Sequence, residues 1–312
     1  MAKTIVILNP ASGSTDEDFR ATVETTLQAR GVEFEIWETT KKTGGDVLAA
    51  RAAGQDADHL IACGGDGTIM SVVNGLGKEG AGKDVTLSII PGGTANLLAG
   101  ALKIPTEIEA AVEAAVAGEE RTIDLGHCGE HLFALGVGLG LTEKLVSRAS
   151  AEEKEKLGKL AYVKAMLGEM GARPTRFSFK LDNKPEQTQR GVAIVITNSG
   201  EIGGNLEFAP DAKMDDGVLD LCILHHFHFR DLVRMAWNSL RGQLEQDRAV
   251  SFFQAKRIEI LSDPPLDLQI DGEVVDMQTP LVAEVQPRAL KVRVPREALE
   301  KELKEEVKEQ KS

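Results

Sequence analysis

Apolar residues fall in two different rhythms along this chain. Over the first 120 or so positions, short apolar runs alternate with stretches in which apolar side chains recur every three or four residues. Thr4–Leu8, Leu60–Cys63 and Val85–Ile90 are continuous runs and read as buried strands, and the alternating Phe34–Glu38 reads as another. Between them, Asp16–Arg30 carries Phe19, Val23 and Leu27 at helical spacing and stops at Gly31. Further helices are expected near Asp46–Ala53, from Ile69 onward, and from Leu97 through Leu102 toward Pro105. Thr106 with Glu109 has the form of a capping box for one more, ending at Gly118. Strands alternating with helices predict a doubly wound parallel sheet.

After Arg121 the rhythm shortens. Thr122–His127, His131–Val137, Thr175–Leu181, Val192–Thr197, Val218–Leu224, Arg257–Leu261, Leu266–Ile270 and Leu281–Val285 read as short strands joined by turns. They predict a second, mainly antiparallel domain, and two domains are what a chain of 312 residues leads one to expect. Two helical stretches, Ala151–Met170 and Arg230–Leu240, interrupt it, each with an apolar stripe of the kind that packs into a core. Arg296–Ser312 reads as a highly charged helix with a narrow stripe of Leu299, Leu303 and Val307.

Three strands of the first domain run straight into turn-forming loops: Asn9-Pro10-Ala11-Ser12-Gly13, Gly64-Gly65-Asp66-Gly67-Thr68 and Pro91-Gly92-Gly93-Thr94-Ala95-Asn96. Glycine lets a backbone approach a ligand closely, and the free N–H groups that open a helix attract anions. Taken singly, each loop reads equally as a plain strand-to-helix turn. Asp66 tips the balance, because a carboxylate among glycines has no packing purpose but can hold a metal or take a proton. All three loops also fall at the carboxyl edge of the sheet, where such folds bind ligands.

Charge and composition remove other classes. A formal net charge of −13 argues against nucleic acid as a partner and against charge-driven adhesion to anionic lipid. Trp37, Tyr162 and Trp237 are too few for a base-stacking platform. Cys63, Cys128 and Cys222 sit far apart in apolar runs, which predicts buried thiols in a reducing compartment. Met1-Ala2-Lys3-Thr4 enters a strand without an apolar signal region, and no stretch approaches the roughly 20 apolar residues of a membrane span. A cytoplasmic protein with at most peripheral membrane contact is expected. His225-His226-x-His228 lacks acidic or Cys partners and reads as structural, and Asp271-Gly272 alone would be an ordinary hairpin turn.

Taken in order, Asn9-Pro10-x-Ser12-Gly13, Gly64-Gly65-Asp66-Gly67-Thr68, Pro91-x-Gly93-Thr94-x-Asn96, Gly203-Gly204 with Pro210-Asp211-Ala212-x-x-Asp215-Asp216-Gly217, and Asp271-Gly272-Glu273 resemble the bacterial diacylglycerol kinase and YegS-like lipid kinase family. The likeness spans residues 4 to about 295. It implies an NAD kinase-like α/β domain over 1–122, to which 291–312 return, and a β-sandwich-like lipid-substrate domain over 123–290, with ATP between them. By this resemblance Asn9, Pro10, Ala11, Ser12, Gly13 and Thr40 would contact nucleotide. So would Gly64, Gly65, Asp66, Gly67, Thr68, Ile69, Met70 and Ser71, together with Gly93, Thr94 and Asn96.

The resemblance further implies a structural Mg2+ held by the backbone carbonyls of Lys213 and Val218 and the carboxylate of Asp216, oxygen donors that suit a hard cation. It marks Glu273 as general base; Asp66, Asp124 and Asp271 are the other carboxylates expected close by, and whether Asp66 or Glu273 takes the proton stays open. The implied activity is ATP- and Mg2+-dependent phosphorylation of a lipid hydroxyl at the inner membrane surface, on diacylglycerol, phosphatidylglycerol or a sphingoid-like alcohol. Leu97, Leu141 and Thr142 depart from residues common in the family near the acceptor, so the acceptor stays open. A kinase for a soluble acceptor such as NAD and a non-catalytic nucleotide- or lipid-binding regulator stay open too, as does the choice between monomer and homodimer.

Overall fold

In a computed structural model of the chain, the residues described are 3–10, 15–78, 80–140, 173–200, 209, 212–226 and 248–300. The helices expected at Ala151–Met170 and Arg230–Leu240, and the charged tail beyond residue 300, lie outside them. The chain divides into two units, Met1–Ile123 with Arg288–Ser312, and Asp124–Pro287.

The first unit begins β1 (Thr4–Leu8), α1 (Glu17–Ala29), β2 (Phe34–Glu38), α2 (Gly45–Ala53) and β3 (His59–Gly64). It continues with α3 (Asp66–Lys78), β4 (Thr86–Pro91), α4 (Leu97–Ala101) and α5 (Ile108–Ala117). The strands pair in parallel in the order β2-β1-β3-β4. Every residue of β1, β3 and β4 is buried, which is why these strands read as unbroken apolar runs. α1 packs with α5 and α2 with α3, clothing the sheet. Asp16 caps α1 by accepting from the Phe19 N–H at 2.8 Å.

Two local expectations fail here. The capping box does not form: the N-cap of α5 is Glu107, and no side chain bonds the helix start. α4 stops at Ala101, earlier than the apolar spacing suggests, and Lys103 then takes φ of 57°.

The second unit is a sandwich of antiparallel strands. One layer runs β12 (Val250–Ala255), β11 (Leu219–Leu224), β10 (Ala193–Thr197), β7 (Gly136–Gly140), β14 (Asp267–Ile270) and β15 (Glu273–Gln278). The other holds β13 (Arg257–Asp263), β8 (Thr175–Leu181), β9 (Gln187–Gly191) and the first part of β16 (Leu281–Val294). β5 (Glu119–Cys128) pairs with β16 and with β6 (His131–Phe133). Phe133, Phe177 and Phe179 fill the core with Leu139, Ile196, Leu221 and Ile260 from the facing layers. The fold class is therefore the expected one, a parallel α/β unit and an antiparallel β unit.

β9, β12 and β15 escape the periodicity. β9 and β15 are sheet edges whose side chains are largely exposed, so no apolar alternation marks them. β16 continues to Val294, beyond Val285, because it carries on through Pro287 and through Arg288 at φ of 52°. Its last part lies parallel to β4, pairing Lys291 with Thr86 and Val292 with Leu87.

His59 opens β3 only 8% exposed, with its Nε2 2.8 Å from the Ser88 hydroxyl. Burial, helped by the charge of Arg293, pushes its pKa down to about 4. The unfolded chain takes up this proton near the ordinary value of 6.5, whereas the folded chain resists until about 4. Stability should therefore fall as pH drops through that window, by at most ~3 kcal/mol. Urea unfolding of wild type and His59→Leu between pH 7 and 4 checks this, the variant being expected to show the shallower dependence.

Candidate active site

The first unit changes winding direction between β1 and β3. From β1 the chain passes to β2 on one side, then crosses back to β3 on the other, and ligands bind at such a switch point. The loops that follow β1, β3 and β4 meet here. The Asn9 N–H donates to the Cys63 carbonyl at 3.2 Å, and its side-chain Nδ2 donates to Thr68 Oγ1 at 2.9 Å. The Thr15 hydroxyl donates to the Asn9 carbonyl. Gly92 N–H donates to the Gly64 carbonyl at 2.8 Å, linking the second loop to the third.

The third loop closes on itself through Asn96. Its Oδ1 accepts from Gly93 N–H at 2.9 Å, its Nδ2 donates to the Gly93 carbonyl at 2.8 Å, and its backbone sits at φ of 49°. Gly93 lies so near the second loop that a Cβ would stand 2.7 Å from the Gly65 Cα. Only glycine fits there. Asp66 completes the junction by accepting from the Leu97 N–H at the start of α4. Burial holds its carboxyl above the usual carboxylate range, although the backbone N–H groups of Leu97, Asn96 and Leu98 pull the other way.

The loops are bonded to one another, yet Pro10, Gly67 and Thr94 remain exposed. α3 begins at Asp66, so its opening N–H groups lack intrahelical acceptors and carry the positive end of the helix dipole. Ile69 is fully buried, and its N–H donates to the Gly65 carbonyl at 3.1 Å. Met70 is partly exposed, and the Ser71 hydroxyl accepts from Asp46 N–H at 2.9 Å, joining α3 to the start of α2. Thr40 is exposed, its Oγ1 accepting from Thr43 N–H at 3.1 Å. Ala11, Ser12 and Gly13 lie outside the described residues.

The second unit holds the remaining carboxylates in three different states. Asp271 is 8% exposed and accepts from the N–H groups of Ala134, Leu135 and Gly136 at 2.8–2.9 Å. Asp124 is fully buried; its Oδ2 accepts from Gly217 N–H at 2.7 Å, and its own N–H donates to the Met214 carbonyl. Glu273 opens β15 exposed, and among the described residues its carboxylate has no hydrogen-bond partner. Asp271 and Glu273 flank Gly272 in one hairpin, while Asp124 belongs to the neighbourhood of the loop 212–218.

That loop carries Lys213 and Asp216, both exposed, and Val218, partly buried. Asp216 Oδ1 accepts from Val218 N–H at 3.1 Å. Desolvation raises the Asp216 carboxyl above its ordinary range, and the nearby negative charges of Asp124 and Asp215 add to the shift. Crowded carboxylates of this kind favour a cation. Among the described residues, no cluster of three His, Cys, Asp or Glu side chains is set to hold a metal.

Other residues take plainer roles. The three cysteines are free and buried. Both ring nitrogens of His225 are engaged, Nδ1 at 2.9 Å from the Arg190 carbonyl and Nε2 at 2.8 Å from Ser251 Oγ, so this ring serves the fold; His228 lies outside the described residues. Asn198, 1% exposed, escaped the sequence reading. Its Nδ2 donates to the carbonyls of Asp124 at 2.8 Å and Ala134 at 3.0 Å. The available signal was a polar Thr197-Asn198-Ser199 continuing the buried run of β10.

Comparison with known proteins matches residues 3–128 to the diacylglycerol kinase catalytic domain and residues 137–294 to the YegS C-terminal NAD kinase beta sandwich-like domain. A diacylglycerol kinase of Bacillus subtilis (strain 168) is 34% identical over 278 residues, covering 88% of this chain and 90% of that protein. One from Staphylococcus saprophyticus is 30% identical, covering 86% and 88%. A crystal structure of a candidate diacylglycerol kinase from Bacillus anthracis superposes with a TM-score of 0.80 at 25% identity, covering 94% of this chain and 95% of that one. An NAD kinase from Archaeoglobus fulgidus, in complex with ATP, shares the fold alone, with a TM-score of 0.51 at 11% identity.

The contact between the second and third loops can be tested by overpacking. Gly93→Ala should cost about 1–3 kcal/mol in urea unfolding. Gly100→Ala, where a Cβ would meet nothing within 4 Å, should be neutral or stabilising.

Proposed function

The chain belongs to the diacylglycerol kinase family, and from that premise we propose that it transfers the γ-phosphate of ATP to a hydroxyl of a membrane lipid, such as diacylglycerol, phosphatidylglycerol or a sphingoid-like alcohol. The observation that carries this reading is the convergence of the Asn9, Gly64–Thr68 and Gly93–Asn96 loops at the switch point of a parallel sheet. Backbone N–H groups at the start of α3 and along the glycine loops cradle the phosphates, a device that an acidic chain can use without clustering cations. Asn9 holds Thr68 Oγ1 as an acceptor, leaving its hydroxyl hydrogen free to turn toward a phosphate oxygen.

Mg2+ at the phosphates would spread the charge that develops during transfer. Asp66 is the residue to hold it, since a partly buried carboxylate with a raised pKa gains from a nearby cation. Lys213, Asp216 and Val218 fit a second, structural Mg2+, given the crowding of Asp216 with Asp124 and Asp215. Glu273 takes the proton of the attacking hydroxyl. Of the four candidate carboxylates it is the exposed one, and among the described residues it has no hydrogen-bond partner, as an incoming hydroxyl requires.

Labelled ATP, Mg2+ and mixed lipid vesicles, followed by lipid extraction, test the activity. Transfer to a lipid is expected, while transfer to NAD or a polyol instead would reassign the acceptor. Nucleotide binding with no transfer to any acceptor would sink the kinase reading in favour of a regulator. Glu273→Gln should lower kcat by at least about 100-fold with ATP affinity intact. Mg2+ should raise the Tm of wild type and do so less in Asp216→Asn, measured by scanning calorimetry in magnesium and in chelator.

A further inference from the structure

The carboxylate of Asp271 is gripped by three backbone N–H groups. Its Oδ2 accepts from Ala134 N–H, and its Oδ1 accepts from both Leu135 and Gly136 N–H, all at 2.8–2.9 Å. Its own N–H donates to the Gly136 carbonyl at 2.9 Å. The segment it grips is held from the other side as well. The Ala134 carbonyl accepts from Asn198 Nδ2 at 3.0 Å, and the Leu135 carbonyl from Thr197 Oγ1 at 2.9 Å and Asn198 N–H at 2.8 Å. Every backbone polar group of residues 134–136 is thereby bonded in a buried setting.

Asp271 is also the first residue of a two-residue hairpin turn. Ile270 lies opposite Glu273, and Asp271 and Gly272 adopt φ of 46° and 87°, the left-handed conformations of a type I′ turn. Gly272 N–H donates to Gln269 Oε1 at 2.8 Å, and Gln269 is itself 8% exposed. A turn of this type needs only residues that tolerate positive φ, a demand Asn meets as well as Asp. Three converging N–H groups ask for more, namely a full carboxylate with acceptor capacity on both oxygens. The hairpin tip is thus fixed at Asp271 and Gly272, and the next side chain is the exposed Glu273.

We propose that Asp271 and Gln269 are positioning residues for Glu273: they lock the tip of the β14–β15 hairpin onto the 134–136 segment, so that the Glu273 carboxylate is aimed before any acceptor arrives. Aiming matters because a misplacement of about 1 Å can cost about 100-fold in rate. The proposal rests on the kinase reading above, with Glu273 as the base.

Asp271→Asn tests it. The amide keeps the tolerance for positive φ but turns an NH2 toward one of the three N–H donors. With mixed vesicles of diacylglycerol and phosphatidylglycerol as acceptor, kcat should fall about 10- to 100-fold. KM for ATP should be unchanged, and the ascending limb of the pH–rate profile should persist, since the base is still Glu273. Gln269→Met, which removes only the bond to Gly272, should give the same pattern with a smaller drop. Hydrogen exchange at Ala134, Leu135 and Gly136 should quicken in Asp271→Asn. Undiminished kcat in both folded variants overturns the proposal. So does loss of the ascending limb in Asp271→Asn, which would make Asp271 the proton acceptor. If Asp271→Asn fails to fold, Gln269→Met decides alone. A wild type that binds ATP but phosphorylates nothing overturns the kinase reading itself and this proposal with it, a result distinct from an active wild type with unaffected variants.

Discussion

Everything proposed for the first unit depends on how closely two backbones approach. Gly93 and Gly65 come so near that no side-chain carbon fits between them, and Asp66 seals the junction by accepting from Leu97 N–H. This contact joins the loops after β3 and β4, while Asn9 joins the loop after β1 through Thr68. Three chain segments that are remote in sequence become one surface of backbone. A surface built from N–H groups has its positive potential fixed by geometry, not by mobile cationic side chains. That is how a chain of net charge −13 can present a place for anions.

The second unit solves a different problem, how to keep carboxylates apart in function. Asp271, Asp124, Asp216 and Glu273 are chemically near-identical. Asp271 accepts from three N–H groups and becomes part of the framework. Asp124 holds the 214–217 loop through Met214 and Gly217. Asp216 stands crowded by Asp124 and Asp215, with its carboxyl raised. Glu273 alone among them stays exposed and without a hydrogen-bond partner among the described residues. Environment, and not residue type, divides the roles.

The glycine loops were legible because their requirement is local. A strand that must turn at once into a helix, with its backbone open, leaves a short glycine-rich signature next to an apolar run. The antiparallel unit was legible for its inward-facing strands and illegible at its edges, where β9 and β15 expose most side chains and so lack alternation. Thr106 and Glu109 misled for a related reason. A capping motif describes what a segment could do alone, and α5 begins at Ile108 with no side-chain cap at all.

By itself the sequence determined the two fold classes, the ordered loops and the residue types that phosphate chemistry needs, because hydrophobic period and glycine position are properties of neighbouring residues. Only the tertiary structure decided which carboxylate is buried and bonded and which stands exposed. Asp271 meets Ala134–Gly136 across more than 130 positions of chain, Asn198 meets Asp124 across 74, and Asp66 meets Leu97 across 31. Hydrogen-bond saturation is set by such distant partners, and no local pattern encodes it.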